Sequence, residues 1–551
     1  MQHGGKLLAD EMARHGVRRV FSVPGESFLA LLDGLLDTDI VNIACRHEGG
    51  AAMMAEAQGK MTGLPGIAMV TRGPGAANAA AGLHVARQDS TPMILLVGQI
   101  ARDNKDREAF QEVDYRAAFG GLVKWVGEVG QPERLPEYFA RAWHIAQSGR
   151  PGPVLLALPE DVLTAQVEPR LSLPAKAAQP KPDLTKTARD VLRWLAPAKN
   201  PLVIVGGPHW SAAAEAALAR FASVQGLPVA LGFRRQDYLD NRSPNYAGDL
   251  GVAVNPTLGA RLKNADALLL LGTRLGDIET QGYTLAAPGH HSQRICHIHV
   301  SADELGQVWQ PELAVTARAD HFVEALAELP QANPSWQVKT TLANTERAAW
   351  QKLRPTPGKV QLEQIIGWLS ANLPDDAIIT NGAGNYAAWL HRYFLYKGYQ
   401  TQLAPTSGSM GYGFPAAIAA SLEYPSKTVV CLAGDGCFQM TLNELSTAAQ
   451  HGAKPIVVVA NNGRYGTIRT HQERHYPGRV SGTDLANPDF AKLAQAYGAY
   501  GETVSQTADF PAAFARAQAA NSAAIIELML DPEALTPGKT LTEIRAAAQA
   551  D

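Results

Sequence analysis

Short runs of consecutive apolar residues recur along the chain, and each runs into a Gly- or Pro-bearing turn and then a segment with helical spacing. In the first third the runs lie at residues 17–23, 40–45, 67–71, 93–97 and 154–159. In the middle they lie at 201–205, 229–231, 267–271 and 295–300, and in the last third at 429–433 and 456–460. Apolar runs of this length, rich in β-branched residues and separated by helices, predict parallel strands buried on both faces. The repeated strand–turn–helix order predicts an α/β protein of doubly wound parallel sheets with helices on both faces. Two Pro-containing polar stretches, 171–184 and 331–357, interrupt the pattern and read as linkers. The expected domains are therefore 1–170, 185–332 and 358–540. A length of 551 residues suits about three domains, since one core does not grow to that size.

The most informative stretch is 427–474. A run at 429–433 enters Gly434-Asp435-Gly436, a helical segment follows, and a second run at 456–460 ends in Asn461-Asn462. Asp435 and Asn462 then fall at the carboxyl ends of neighbouring parallel strands, where open α/β sheets bind ligands. A carboxylate, an amide oxygen and a backbone carbonyl are hard oxygen donors that suit Mg²⁺, which takes few protein ligands and keeps phosphates and water. Gly434 and Gly436 let a phosphate approach the backbone without a Cβ in the way.

Composition narrows the class. Apolar residues make up 46% and charged residues 18%, which describes a folded globular chain. A net charge of −3 gives no reason to expect a nucleic-acid partner or an acidic membrane surface. The four cysteines are scattered and none has CxxC spacing, so they read as packing thiols. No run of 18 apolar residues and no leader-like amino terminus occur, and the expected location is the cytoplasm.

The GDG followed 24 residues later by NN resembles the diphosphate-binding motif of thiamine diphosphate (ThDP) enzymes. By that resemblance Asp435, Asn462 and the carbonyl of Arg464 hold Mg²⁺ on the cofactor. Arg46-His47-Glu48-Gly49-Gly50 resembles the segment with the catalytic glutamate of these enzymes. The role implied for Glu48 is to bond the cofactor's pyrimidine nitrogen, so that the cofactor's own amino nitrogen takes the proton from C2. A partly desolvated carboxylate of raised pKa suits that task. Gly73, in Thr71-Arg72-Gly73-Pro74-Gly75, would shape the same pocket. Ala109-Phe110-Gln111-Glu112 with Lys124 resembles the AFQE…K pattern of acetolactate (acetohydroxyacid) synthases, which implies that Phe110 and Gln111 face the reactive carbon and Lys124 lines the substrate entry. Gly408 and Met410 resemble the segment that folds the cofactor into a V, Met410 wedging between its rings. Tyr465, Gly466 and Ile468 fall in the segment lining the reactive ring, Ile468 as an apolar wall that favours CO₂ loss. His471, like His475, is a candidate proton shuttle; as bare residues the two read equally well as exposed histidines on a loop.

The chain also departs from the pattern. His299 and Ser301 fall where the flavin-binding acetolactate synthases carry aspartates, His471 where they carry a tryptophan. Ile278 falls where they carry an arginine for the carboxylate of the second 2-oxo acid. Isoleucine cannot make that bidentate pair. The resemblance implies ThDP and Mg²⁺; the central domain of the family holds FAD in some members and nothing in others. It further implies a homodimer or homotetramer, because the cofactor is clamped between the first domain of one subunit and the third of its partner. The expected activity is decarboxylation of a 2-oxo acid such as pyruvate and transfer of the acyl unit to a carbonyl acceptor. The alternative is a plain 2-oxo acid decarboxylase, since Asn461 to Arg469 resembles the benzoylformate decarboxylase run. A scaffold that has lost catalysis is disfavoured by Glu48 standing beside the complete GDG…NN pair.

Overall fold

The computed structural model describes residues 1–171 and 182–550. Most of the first expected linker lies outside the described residues. Three six-stranded sheets, all parallel, carry the fold. In the first, the spatial order is Val41–Ala44, Arg19–Ser22, Gly66–Val70, Met93–Gln99, Pro153–Pro159, Val126–Glu128. The second runs Tyr246–Leu250, Val229–Gly232, Pro201–Val205, Ala267–Leu271, Arg294–His299, Leu313–Thr316. The third runs Gln402–Leu403, Ile378–Asn381, Val429–Gly434, Ile456–Asn461, Ala524–Met529, Tyr500–Val504. Nearly every residue of the central strands is buried, as sheets covered on both faces require.

In each sheet the chain leaves one strand outward and returns to that strand's other side, and a crevice opens at the carboxyl ends where the direction reverses. In the third sheet the reversal lies between Ile378–Asn381 and Val429–Gly434, so Gly382-Ala383-Gly384 faces Gly434-Asp435-Gly436. In the first it lies between Arg19–Ser22 and Gly66–Val70, next to Thr71-Arg72-Gly73. In the central sheet it lies between Pro201–Val205 and Ala267–Leu271, bringing Gly206-Gly207 to Gly272-Thr273.

The first and third domains share one hydrophobic core. Helix Glu48–Thr62 lies on helix Gly413–Glu423, and their Ala51, Ala55, Ala416 and Ala420 allow a close approach. Polar groups buried at this junction are paired, as their burial demands. Tyr412 donates to Glu56 Oε2, and Thr91 Oγ1 donates to Glu56 Oε1 at 2.6 Å. Asp89 pairs with Lys60 and accepts from Thr406 N at 2.8 Å, while Arg235 of the central domain donates to its carbonyl at 3.0 Å.

Residues 331–357 are not a linker. They contain helix Trp336–Trp350, which packs on the central domain: Trp336 Nε1 donates to Ala198 O at 2.8 Å, and Thr340 Oγ1 to Gly226 O at 2.6 Å. Only Trp336, Thr340 and Ala343 of this helix are buried, so its apolar stripe is too thin to stand out in the sequence. The helical segment after the GDG is likewise broken in two, Asp435–Gln439 and Leu445–His451.

Candidate active site

The third domain builds the more finished half of the site. Asp435 opens a helix directly at the end of its strand and is 3% exposed. Its Oδ1 accepts from Gly436 N at 2.8 Å; its Oδ2 accepts from Gly463 N at 2.9 Å and Asn487 Nδ2 at 2.7 Å. Burial raises its pKa, and those N–H donors oppose the shift. Among the described residues no Lys or Arg pairs with it. A buried carboxylate without a cationic partner is costly unless something supplies positive charge. Asn462 Oδ1 accepts from Arg464 N at 3.2 Å, and Asn461 Oδ1 accepts from Asn487 Nδ2 at 2.8 Å. No three His, Cys, Asp or Glu side chains cluster as a metal site among the described residues. One carboxylate, one amide oxygen and one carbonyl therefore form the available donor set, which suits a hydrated Mg²⁺ carried in on a diphosphate.

Glycines keep this half open. A Cβ on Gly436 would sit 2.5 Å from the Tyr465 ring, and one on Gly466 2.7 Å from Asn385. Gly408 has φ +68° and nothing packed over it, so its turn presents bare backbone. Met410 is partly buried against the third-domain core. Ile468 is 54% exposed on helix Gly466–His475. His471 and His475 stack on the same helix with ring centroids 6.3 Å apart, and burial together with Arg474 and His475 lowers the His471 pKa. Glu473 anchors the helix by accepting from Arg469 at 3.0 Å and from Arg545 of the C-terminal helix at 2.7 Å.

The first domain gathers the other half. Glu48 opens helix Glu48–Thr62 and accepts from Asn78 Nδ2 at 2.9 Å. The loop before it is held by the third domain of the same chain, where Glu444 accepts from His47 N at 3.0 Å and Arg46 N at 3.2 Å. Gly73, with φ +60°, lies against Gln111, where a Cβ would come within 2.9 Å. Gln111 has φ +64°, and Phe110 is 72% exposed with its carbonyl accepting from Arg72. Glu48, Gly73, Phe110 and Gln111 thus fall in one neighbourhood through Asn78, Gly75 and Arg72. Lys124 turns its ammonium onto the carbonyls of Ile145 and Ser148, and burial lowers its pKa to about 8.

Sequence reasoning missed Asn487, Asn78 and Glu444. Asn487 lies 52 residues beyond Asp435 in a segment with no pattern.

A cavity of about 1130 Å³ joins Gly408, Thr467 and His471 to Phe233, Val252 and Ile278 of the central domain. The crevice at the central sheet's reversal measures about 120 Å³, below the range of roughly 300–1,000 Å³ usual for ligand pockets. Glu279 stands over Gly232 there and accepts from Thr273 Oγ1 and Gly276 N. The crevice shares Gln88, Phe233, Asp277, Ile278 and Thr406 with the larger cavity.

Three family models match the chain: the N-terminal TPP binding domain of thiamine pyrophosphate enzymes at 2–118, the central domain at 188–326 and the C-terminal TPP binding domain at 382–528. The chain belongs to the thiamine pyrophosphate enzyme family. It is 31% identical to the acetolactate synthase large subunit of Parasynechococcus marenigrum, over 91% of this chain and 83% of that one. It is 30% identical to the acetolactate synthase isozyme 2 large subunit of Escherichia coli, over 92% and 91%. A thiamine diphosphate-dependent 4-hydroxybenzoylformate decarboxylase from Rhodococcus jostii shares the fold with a TM-score of 0.83, at 24% identity over 96% of this chain and 99% of that one. The protein is thus an enzyme of the acetolactate synthase-like, ThDP-dependent kind.

Proposed function

We propose that the protein is a ThDP- and Mg²⁺-dependent carboligase that decarboxylates a 2-oxo acid, pyruvate being the simplest, and joins the acyl unit to a carbonyl acceptor. The observation that carries this reading is the buried Asp435 carboxylate, unpaired with any Lys or Arg among the described residues, at the third sheet's reversal. Asp435, Asn462 and the Arg464 carbonyl would hold Mg²⁺; Gly434 and Gly436 would leave room for the diphosphate, and Gly408 and Met410 would set the ring geometry. Bound ThDP supplies a carbon nucleophile and an electron sink for the departing CO₂. Glu48, oriented by Asn78, holds a proton at the pyrimidine nitrogen. Phe110, Gln111 and Gly73 enclose the reacting carbon, Ile468 keeps water away from it, and His471 exchanges protons with the product. Tyr465 and Gly466 position that helix.

Glu48 and Asp435 lie in different domains, and no hydrogen bond or ion pair joins their groups among the described residues. A homodimer in which the first domain of one copy covers the third of the other completes the site, and two such dimers give a tetramer.

The plain decarboxylase reading is favoured by one observation: Asp277 and Ile278 line the cavity where a carboxylated acceptor would need a cation. Pyruvate incubated with the ThDP/Mg²⁺-loaded protein decides between them. CO₂ with acetolactate supports the carboligase, CO₂ with aldehyde alone supports the decarboxylase, and no CO₂ from any 2-oxo acid sinks both.

A further inference from the structure

Residues Phe233-Arg234-Arg235-Gln236 follow strand Val229–Gly232 of the second sheet and reach both other domains. Arg235 donates to the Asp89 carbonyl of the first domain at 3.0 Å, and Gln236 Nε2 donates to the His391 carbonyl of the third at 2.9 Å. Between them Arg234 is 4% exposed, and its backbone is left-handed with φ +59°. A long side chain keeps that conformation only where its surroundings hold it there. The two terminal nitrogens of Arg234 donate to two separate third-domain carbonyls, Gly382 O at 2.8 Å and Pro405 O. Neither goes to a carboxylate among the described residues; Asp89, whose charge bears on Arg234, already pairs with Lys60. Nε has no hydrogen-bond partner, and the guanidinium carbon lies 4.8 Å from the Phe233 ring centroid, a cation–π contact. Burying a cation without a counter-charge is costly, and an apolar side chain would fill the same space without that cost.

The two carbonyls belong to segments that border the candidate active site. Gly382 begins the segment that faces Gly434-Asp435-Gly436, and its N–H donates to Tyr386 OH at 3.1 Å. Tyr386 in turn donates to Cys437 Sγ at 3.4 Å, as does Gly411 N at 3.2 Å, and Cys437 lies on the short helix that Asp435 opens. Pro405 O also accepts from Gly408 N at 3.0 Å, which closes the turn that presents Gly408. Arg234 therefore holds the base of each loop, and the far ends of the loops carry Gly408, Met410 and the Asp435 helix. We propose that Arg234 is a positioning residue of this site: from the central domain it fixes the spacing between the Gly382 strand end and the Pro405–Gly408 turn, so that the third domain is set to take the cofactor. The inference rests on the ThDP reading above and adds a residue to it. Arg234 acts through the two carbonyls, so its rigid fork matters as well as its charge; a lysine ammonium is a point donor without that fork.

The test compares the full wild-type chain with Arg234→Ala and Arg234→Lys, first without cofactor by amide hydrogen exchange, then by Mg²⁺-dependent ThDP titration. In Arg234→Ala, exchange should quicken on the order of tenfold in residues 382–387 and 405–411 and stay unchanged in strand Ile456–Asn461. The ThDP Kd should rise on the order of tenfold, as when a group that orients a binding shell is removed. Arg234 lines the 1130 Å³ cavity, so the shortened side chain leaves a hole that a small cation can enter. Millimolar guanidinium, far below unfolding concentrations, should restore both readouts in Arg234→Ala, while ethylammonium should not. Arg234→Lys should stay impaired, and it carries the test if Arg234→Ala does not fold. Unchanged exchange in the two segments, an unchanged ThDP Kd in the variants, or wild-type behaviour of Arg234→Lys overturns the proposal. Loosening of the whole chain without guanidinium rescue also overturns it, since Arg234 would then only pack. If exchange responds as stated while the wild type binds no ThDP, the clamp stands and the ThDP reading falls.

Discussion

The two halves of the candidate site differ in how complete they are within one chain. The third-domain half is buried and internally bonded: Asp435, Asn461, Gly463 and Asn487 satisfy one another before any ligand arrives. In the first-domain half Phe110 is largely exposed, and Glu48 bonds one side chain among the described residues, Asn78. Preorganisation suits a half proposed to hold a doubly charged ion and a diphosphate, because the donors are already aimed. Openness suits a half that, in the proposed dimer, is finished when another surface closes on it.

Glu48→Gln should break the catalytic half alone. Turnover is expected to fall by about 10²–10⁴-fold, while ThDP binding, followed by quenching of tryptophan fluorescence, changes little. Surviving turnover would remove Glu48 from its role. Asp435→Ala should break the other half, weakening Mg²⁺-dependent ThDP binding on the order of 100-fold, since a charged acceptor of three N–H donors is lost. Asn487→Ala sharpens the same point. It removes the group that orients Asp435 and Asn461, and about a tenfold loss of Mg²⁺-dependent affinity is expected in the same titration.

Glu444→Ala probes the seam that joins the halves in one chain. It leaves the amides of Arg46 and His47 without their acceptor and should cost about 2 kcal/mol in urea unfolding. It should also lower kcat, through the loop that carries Glu48. The smallest effect is in pH. Asp237 is buried, accepts from Thr401 N and Gln402 N, and burial raises its pKa to about 6. A carboxyl whose folded pKa lies above its unfolded one stabilises fully below the unfolded value, near 4, and loses that contribution as pH rises through 6. Thermal stability should therefore fall by about 2 kcal/mol between pH 4.5 and 7.5 through this group, and Asp237→Asn should flatten that part of the profile.

The three parallel sheets were legible because their central strands are unbroken apolar runs, such as 267–271 and 456–460. The edge strands Val126–Glu128 and Leu313–Thr316 were not, both being short and the second alternating with solvent. The placement of Asp435 and Asn462 at the ends of strands could be read because apolar runs and glycines mark it. Asn487 could not, since the fold alone brings its amide to Asp435.

The most direct measurement is complementation between Glu48→Gln and Asp435→Ala chains, each inactive alone, mixed and allowed to exchange subunits. If the halves meet across a two-fold interface, each mixed dimer carries one site with both residues intact, and random mixing restores about a quarter of wild-type CO₂ release. If each site were built from a single chain, every site would hold one substituted residue. The mixture would then stay as inactive as its parents, and the account of two complementary halves would be contradicted.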